Sequence, residues 1–281
     1  MNQLIFVAAA AMGGLGIFLG LVIGFFARKF RVETDARIEL VTELLPGANC
    51  GGCGKAGCAD FARSVVAGEN PPNRCPVSSR EQISAIAMAI GVDAGESFPQ
   101  KAVVFCGGSE DKTIHFVHYN GIQDCASAAL VNGGPKACLH GCLGMGSCAR
   151  KCPFGAIEIV NHLAIVHSEL CVGCGKCVAV CPRNVIRLVP AQASVHVFCN
   201  SKVKGAEKRK YCKAGCLGCR KCEKHAPDQF KTDGFLAQVN YAAEQLPTFR
   251  DVAAIGCPTG SLCQEINRSD NEKILEEAEH E

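Results

Sequence analysis

The hydropathy pattern opens on one long apolar run. From Leu4 to Ala27, 24 consecutive residues carry no formal charge. As a helix that run rises about 36 Å, more than a hydrocarbon core of about 30 Å. No basic residue precedes it, and it is too long for the apolar core of a cleaved leader, so the pattern predicts a retained transmembrane helix. Arg28, Lys29 and Arg31 follow at once, which predicts an external N-terminus and a cytoplasmic remainder. Gly16, Gly20 and Gly24 recur along one face. Such a stripe lets a neighbouring helix approach closely, unless it reflects only the abundance of glycine in membrane helices.

Beyond residue 30 the apolar segments become short. Ala59–Gly68 has helical spacing and is ended by Pro71-Pro72, and Arg80–Gly91 reads as an amphipathic helix. Lys101–Phe105 and Thr113–Tyr119 read as strands, and Ala156–Val160 with Leu163–His167 as a hairpin.

Composition then changes the picture. The 281 residues include 21 cysteines and 30 glycines but only 3 tyrosines and no tryptophan. With few aromatics to fill the interior, something else must do so. Cytoplasmic thiols stay reduced, so the cysteines are expected as ligands and not as a disulfide framework. The net charge of +2 points to no partner class.

The cysteines fall into three modules. The first is Cys50, Cys53 and Cys58, spaced by glycines that let the backbone wrap one inorganic object, with Cys75-Pro76 returning after the helix. Four thiolates would also suit zinc, but zinc sites favour two separated C-x₂-C pairs. The second module contains Cys171-x₂-Cys174-x₂-Cys177-x₃-Cys181-Pro182, the bacterial ferredoxin run complete to its proline. Its fourth cysteine serves the other cluster of a two-cluster fold. The partner run is Cys142-x₅-Cys148-x₃-Cys152-Pro153, where the middle ligand position is Met145 and Cys138 is the expected substitute. The expected [4Fe–4S] sets are therefore Cys138, Cys142, Cys148 and Cys181, and Cys152, Cys171, Cys174 and Cys177. On this assignment Cys138→Ser removes or converts a cluster and Cys125→Ser does not.

The third module is a worn copy of the second. Cys216, Cys219 and Cys222 keep the triplet spacing, Ala226-Pro227 has lost the fourth cysteine, and Cys257-Pro258 survives without a triplet of its own. The surviving residues make one complete set under the pairing rule, with zinc as the rival occupant. The repeat extends to Val104-Phe105-Cys106 against Val197-Phe198-Cys199, and to Cys138-x₃-Cys142 against Cys212-x₃-Cys216. Cys106, Cys125, Cys199, Cys212 and Cys263 are left over, either as structural thiols or as replacements within the ligand sets.

The expected fold class is α+β: a single N-terminal transmembrane helix, a small four-cysteine cluster domain, then ferredoxin-like iron–sulfur modules. The expected boundaries are 1–30, 31–92, 93–192, 193–268 and an acidic tail over 269–281. No Rossmann fingerprint, P-loop or hydrolase constellation is present, so no flavin or nucleotide is expected on this chain, and the eight histidines form no ligand pattern. Between Lys202 and Lys224, nine basic residues stand against Glu207 and Glu223, a surplus of seven around one cysteine triplet. That surplus suits a solvated loop, an anionic lipid surface or an acidic electron carrier. Nucleic acid is not expected, because only Tyr211 interleaves for stacking.

An N-terminal anchor, C-x₂-C-x₄-C…C-P and paired ferredoxin runs resemble the B subunit of the Rnf electron-transport complex. The wording is close at Gly57-Cys58-Ala59-Asp60-Phe61-Ala62, Pro72-Asn73-Arg74-Cys75-Pro76 and Gly133-Gly134-Pro135-Lys136-Ala137-Cys138. The resemblance covers essentially the whole chain and includes the third module of longer, anaerobe-type versions. It implies a subunit of an ion-translocating ferredoxin:NAD oxidoreductase at the bacterial cytoplasmic membrane, with about four [4Fe–4S] clusters. It further implies ferredoxin as donor, flavin-bearing and membrane subunits as partners, and no substrate chemistry of its own. An iron–sulfur subunit of another membrane oxidoreductase is the alternative, and a zinc-binding scaffold a remoter one.

Overall fold

A computed structural model describes residues 2–29, 35–96 and 98–264. The expected acidic tail lies outside them. The first helix is α1 (Asn2–Lys29). The expected single N-terminal transmembrane helix is corrected here: among the described residues, no helix is long and apolar enough to cross a membrane.

The first cysteine domain packs α2 (Ala36–Leu44), α3 (Cys58–Val66) and α4 (Arg80–Ile90) around Val41, Phe61, Val65 and Ile86. Ser79 and Gln82 form a reciprocal capping box that starts α4, and Gly91 ends it in the left-handed conformation.

Two copies of one topology follow. In the first, β1 (Gln100–Val104) leads through α5 (Cys125–Leu130) and α6 (Ser147–Lys151) to the hairpin β2 (Ile157–Val160) and β3 (Leu163–Val166). Then α7 (Lys176–Val180) brings the chain back to β4 (Ile186–Pro190), which pairs antiparallel with β1. In the second copy, β5 (Val195–Val197) leads through α8 (Gly205–Lys208) and α9 (Lys221–His225) to the hairpin β6 (Phe230–Asp233) and β7 (Leu236–Val239). There α10 (Phe249–Ile255) returns to β8 (Leu262–Gln264), again antiparallel with the opening strand.

Strand alternation joins the copies. Along β1 and the residue after it, Ala102 and Val104 face the first copy's own core, while Val103 and Phe105 face Val189, Phe198 and Tyr241. Thr113–Tyr119, expected as a strand, is not one. Thr113 bridges to Cys212 and His115 to Lys136, so successive pairings go to different segments and no ladder forms.

Each copy has a glycine two residues after its first run cysteine. Gly144 has φ +74° and backs on to the His162 carbonyl, and Gly218 has φ +70° with the Phe235 Cα 2.7 Å from where a Cβ would stand. Gly155 shares the positive φ (+62°) but faces open space. Gly144→Ala and Gly218→Ala are therefore expected to destabilise by about 2 kcal/mol or more, against about 1 for Gly155→Ala. Anaerobic denaturant melts of the three variants check the difference; equal costs would mean the close approach has no weight.

Candidate metal centres

The first expected set sits where two turns meet. Asn49, at φ +45°, turns its side-chain oxygen to accept from the Cys58 N–H at 2.8 Å, at the start of α3. Arg74 Nε donates to the Cys53 carbonyl at 3.1 Å, tying that loop to Cys75. A Cβ on Gly52 would lie 2.9 Å from Pro76 Cγ and 3.1 Å from both Cα and Cβ of Cys174. The loop thus closes on Cys75-Pro76 and on the ferredoxin-like module together.

Cys152, Cys171, Cys174 and Cys177 line one cavity with Ala102, Phe154 and Ile157. The Ala102 N–H donates to Cys171 Sγ at 3.3 Å. Burial pushes the Cys177 thiol up to about 12, and Cys171, Cys174 and Cys152 add to the shift.

The altered half is arranged differently from the expectation. Cys142 and Cys148 lie in one core cluster with Cys181 packed against it. Cys138 lines a separate cavity with Cys106, Cys199 and Cys212. Burial pushes Cys138 up to about 11, and Cys106, Cys212 and Cys199 are the thiols that reinforce the shift. Cys148 is likewise pushed up to about 11, by burial first and then by Cys125 ahead of Cys181 and Cys177. Met145 is buried with Cys125, Ala128 and Leu143.

In the third module Cys216, Cys219, Cys222 and Cys257 line one cavity with Val197, Ala237 and Leu262. The Gly218 N–H donates to Cys216 Sγ at 3.4 Å. Burial raises the Cys257 thiol, but N–H groups of Leu262, Thr259 and Ser261 outweigh it and leave the thiol below its ordinary value. Cys219 is exposed. In the same segment Lys202, Lys204, Arg209, Lys210, Lys213, Arg220, Lys221 and Lys224 are exposed and carry the basic surplus, while Lys208 is buried.

The donor sets suit a cluster better than one ion. A zinc ion at about 2.3 Å from each sulfur draws four thiolates to within about 3.8 Å of one another. Among the described residues, no group of three or more His, Cys, Asp or Glu is arranged to hold a single metal ion. A cube of four irons and four sulfides needs thiolates set wider, around a cavity. Thiols kept neutral by burial lose their protons when such a centre binds. Sequence reasoning did not assign Cys106, Cys125, Cys199 and Cys212; the repeated Val-Phe-Cys words were the available signal.

Paired βαββαβ modules, each presenting a cysteine triplet from a glycine-bearing loop, define a ferredoxin-class iron–sulfur electron-transfer protein. Residues 45–77 match a family model described as "Putative Fe-S cluster", and residues 164–187 one described as "4Fe-4S binding domain". The B subunit of a proton-translocating ferredoxin:NAD(+) oxidoreductase complex from Clostridium ljungdahlii is 39% identical over 96% of this chain and 95% of its own. The B subunit of an ion-translocating oxidoreductase complex from Methanosarcina acetivorans is 37% identical over 85% of this chain and 92% of its own. The B subunit of a Na(+)-translocating ferredoxin:NAD(+) oxidoreductase complex from Acetobacterium woodii is 38% identical over 57% and 48%. The chain belongs to this family, the B subunits of Rnf-type ion-translocating ferredoxin:NAD oxidoreductases. It is an iron–sulfur electron-transfer subunit.

Proposed function

We propose that this subunit takes single electrons from reduced ferredoxin and passes them to the other subunits of a membrane-associated complex that reduces NAD⁺ and moves Na⁺ or H⁺. In this reading Cys50, Cys53, Cys58 and Cys75, the ferredoxin-run cysteines and the set Cys216, Cys219, Cys222 and Cys257 are thiolate ligands. The observation that carries it is the close approach of the Cys50–Cys58 loop to Cys174, with Cys219 of the third module exposed. A bound [4Fe–4S] cluster supplies one-electron redox chemistry. The chain holds the thiolates in place, buries about half of them, and donates backbone N–H groups to sulfur from Gly52, Ala102 and Gly218. Such donors disperse the negative charge and raise the reduction potential. The basic surface round Cys219 suits an acidic donor and makes this end the entry point.

The test is iron and labile-sulfide analysis of anaerobically purified chain, with EPR after mixing with reduced ferredoxin. About sixteen or more of each per chain, and signals that grow on mixing, are expected. A colourless, zinc-loaded protein would overturn the reading.

A further inference from the structure

We infer that Cys106, Cys138, Cys199 and Cys212 form an additional [4Fe–4S] site between the two ferredoxin-like modules, and that Cys125 takes the ligand position left by Met145. The inference rests on the reading of the cysteines as cluster ligands and changes which of them share a centre.

The four thiols line a single cavity, with Gly107, Gly108, Gly141 and Lys208 on its walls. Two of these glycines stand close to the sulfurs. A Cβ on Gly141 would stand 3.4 Å from Cys138 Sγ and 3.5 Å from Cys106 Sγ. One on Gly108 would stand 3.6 Å from Cys106 Sγ and 3.7 Å from Cys212 Sγ.

Each repeat supplies two of the thiols from equivalent places. Cys106 and Cys199 end the words Val104-Phe105-Cys106 and Val197-Phe198-Cys199. Each donates its N–H to the carbonyl two residues back at 2.8 Å, Cys106 to Val104 and Cys199 to Val197. Cys138 and Cys212 each stand four residues before the first cysteine of a run. A backbone bond from the Gly107 N–H to the Phe198 carbonyl, 3.0 Å, ties the two words together.

Two buried ammonium groups repeat the symmetry. Lys136 donates to the carbonyls of Gly108 (2.8 Å) and His162 (2.7 Å). Lys208 donates to those of Ser201 (2.7 Å), Cys216 (2.7 Å) and Phe235 (3.3 Å). Gly108 and Ser201 each follow a word cysteine by two residues, and His162 and Phe235 each lie in the turn of a hairpin. Both lysines are almost wholly buried, and among the described residues no carboxylate pairs with either. A buried charge without a counter-charge is costly. A centre held by four thiolates carries net negative charge and supplies one.

Cys125 is held against the altered run by a local network. Its N–H donates to Ser147 Oγ at 2.7 Å, and that hydroxyl donates to Asp124 Oδ1 at 2.7 Å. Cys125 is thereby fixed beside Cys148 at the start of α6, in the apolar cluster that also buries Met145. With Cys138 in the other cavity, Cys125, Cys142, Cys148 and Cys181 complete the ferredoxin pair. The two sites touch, since the Cys142 N–H donates to Cys106 Sγ at 3.4 Å. Twenty of the 21 cysteines then fall into five sets of four, with Cys263 outside them.

The test uses the full chain, purified anaerobically. Five sites predict about twenty irons and twenty sulfides per chain, against about sixteen for four. The double variant Cys199→Ala/Cys212→Ala and the single variant Cys138→Ala should each lose about four irons and the same EPR component. Cys125→Ser should alter a different component. The inference is overturned by a parent holding about sixteen irons. It is equally overturned by Cys199→Ala/Cys212→Ala keeping every component, or by Cys138→Ala and Cys125→Ser changing the same one. The parent count decides even where a variant fails to fold. A parent without iron would instead sink the electron-transfer reading itself.

Discussion

Lys208→Met is expected to lower the anaerobic thermal midpoint by roughly 10 °C and to strip iron from the third module, while Arg209→Met changes the midpoint by about 1 °C. The two residues are neighbours in sequence but not in environment. The ammonium of Lys208 is held by three carbonyls, those of Ser201, Cys216 and Phe235. Methionine fills a similar volume and leaves all three oxygens without that donor, at about 1–3 kcal/mol for each that stays dry. A net loss of about 3–4 kcal/mol corresponds to the stated shift at about 2–4 °C per kcal/mol for a chain of this size. Because one acceptor is the carbonyl of Cys216, the ligand loop loosens with the lysine. Removing a buried positive charge also lowers the reduction potential of the nearest centre, which a redox titration of the retained clusters reads. An unchanged midpoint and iron content would mean that water replaces the ammonium without cost.

Reversing Arg209, Lys210 and Lys213 to glutamate is expected to slow reduction by ferredoxin about 10- to 100-fold at low salt, with clusters and melting unchanged. All three side chains are exposed and belong to the same basic segment as the exposed Cys219. Surface charge acts on encounter more than on the final complex, so the effect belongs in the second-order rate and in its salt dependence. Stopped-flow traces for parent and variant should converge as ionic strength rises. Equal rates and equal salt slopes would return the segment to an ordinary solvated loop. Lys208 has no place in this experiment, although its charge counts in the sequence like any other, because reversing it would damage the module and not the surface.

That contrast shows where local pattern stops informing. Cys152, Cys171, Cys174 and Cys177 line one cavity, and three of them lie within seven residues running into α7, a proximity that spacing alone makes visible. Cys216, Cys219, Cys222 and Cys257 were legible for a related reason: the twofold pairing rule relates a triplet to a remote cysteine, and the losses matched it. The hairpin over Ile157–Val166 followed from alternation across a tight turn, which is a local property. Thr113–Tyr119 has the residue types of a strand but not a strand's partner, and partners are not local. The expected membrane span is not supported, since among the described residues no helix is long and apolar enough to cross a membrane.

By itself, the sequence determined the chemistry: reduced thiolates in cluster spacing, glycines where the loops must close, and two diverged copies of one module. The tertiary structure alone decided which thiols face one another across those copies. Cys138 is four residues from Cys142 yet lines the cavity of Cys106, Cys199 and Cys212, and Cys125 reaches Cys148 through Ser147. The physical reason is that a cysteine in a turn can point to either side of the chain, and its neighbours in sequence do not say which. Packing of the Phe105 and Phe198 strand ends, together with the burial of Lys136 and Lys208, sets that direction.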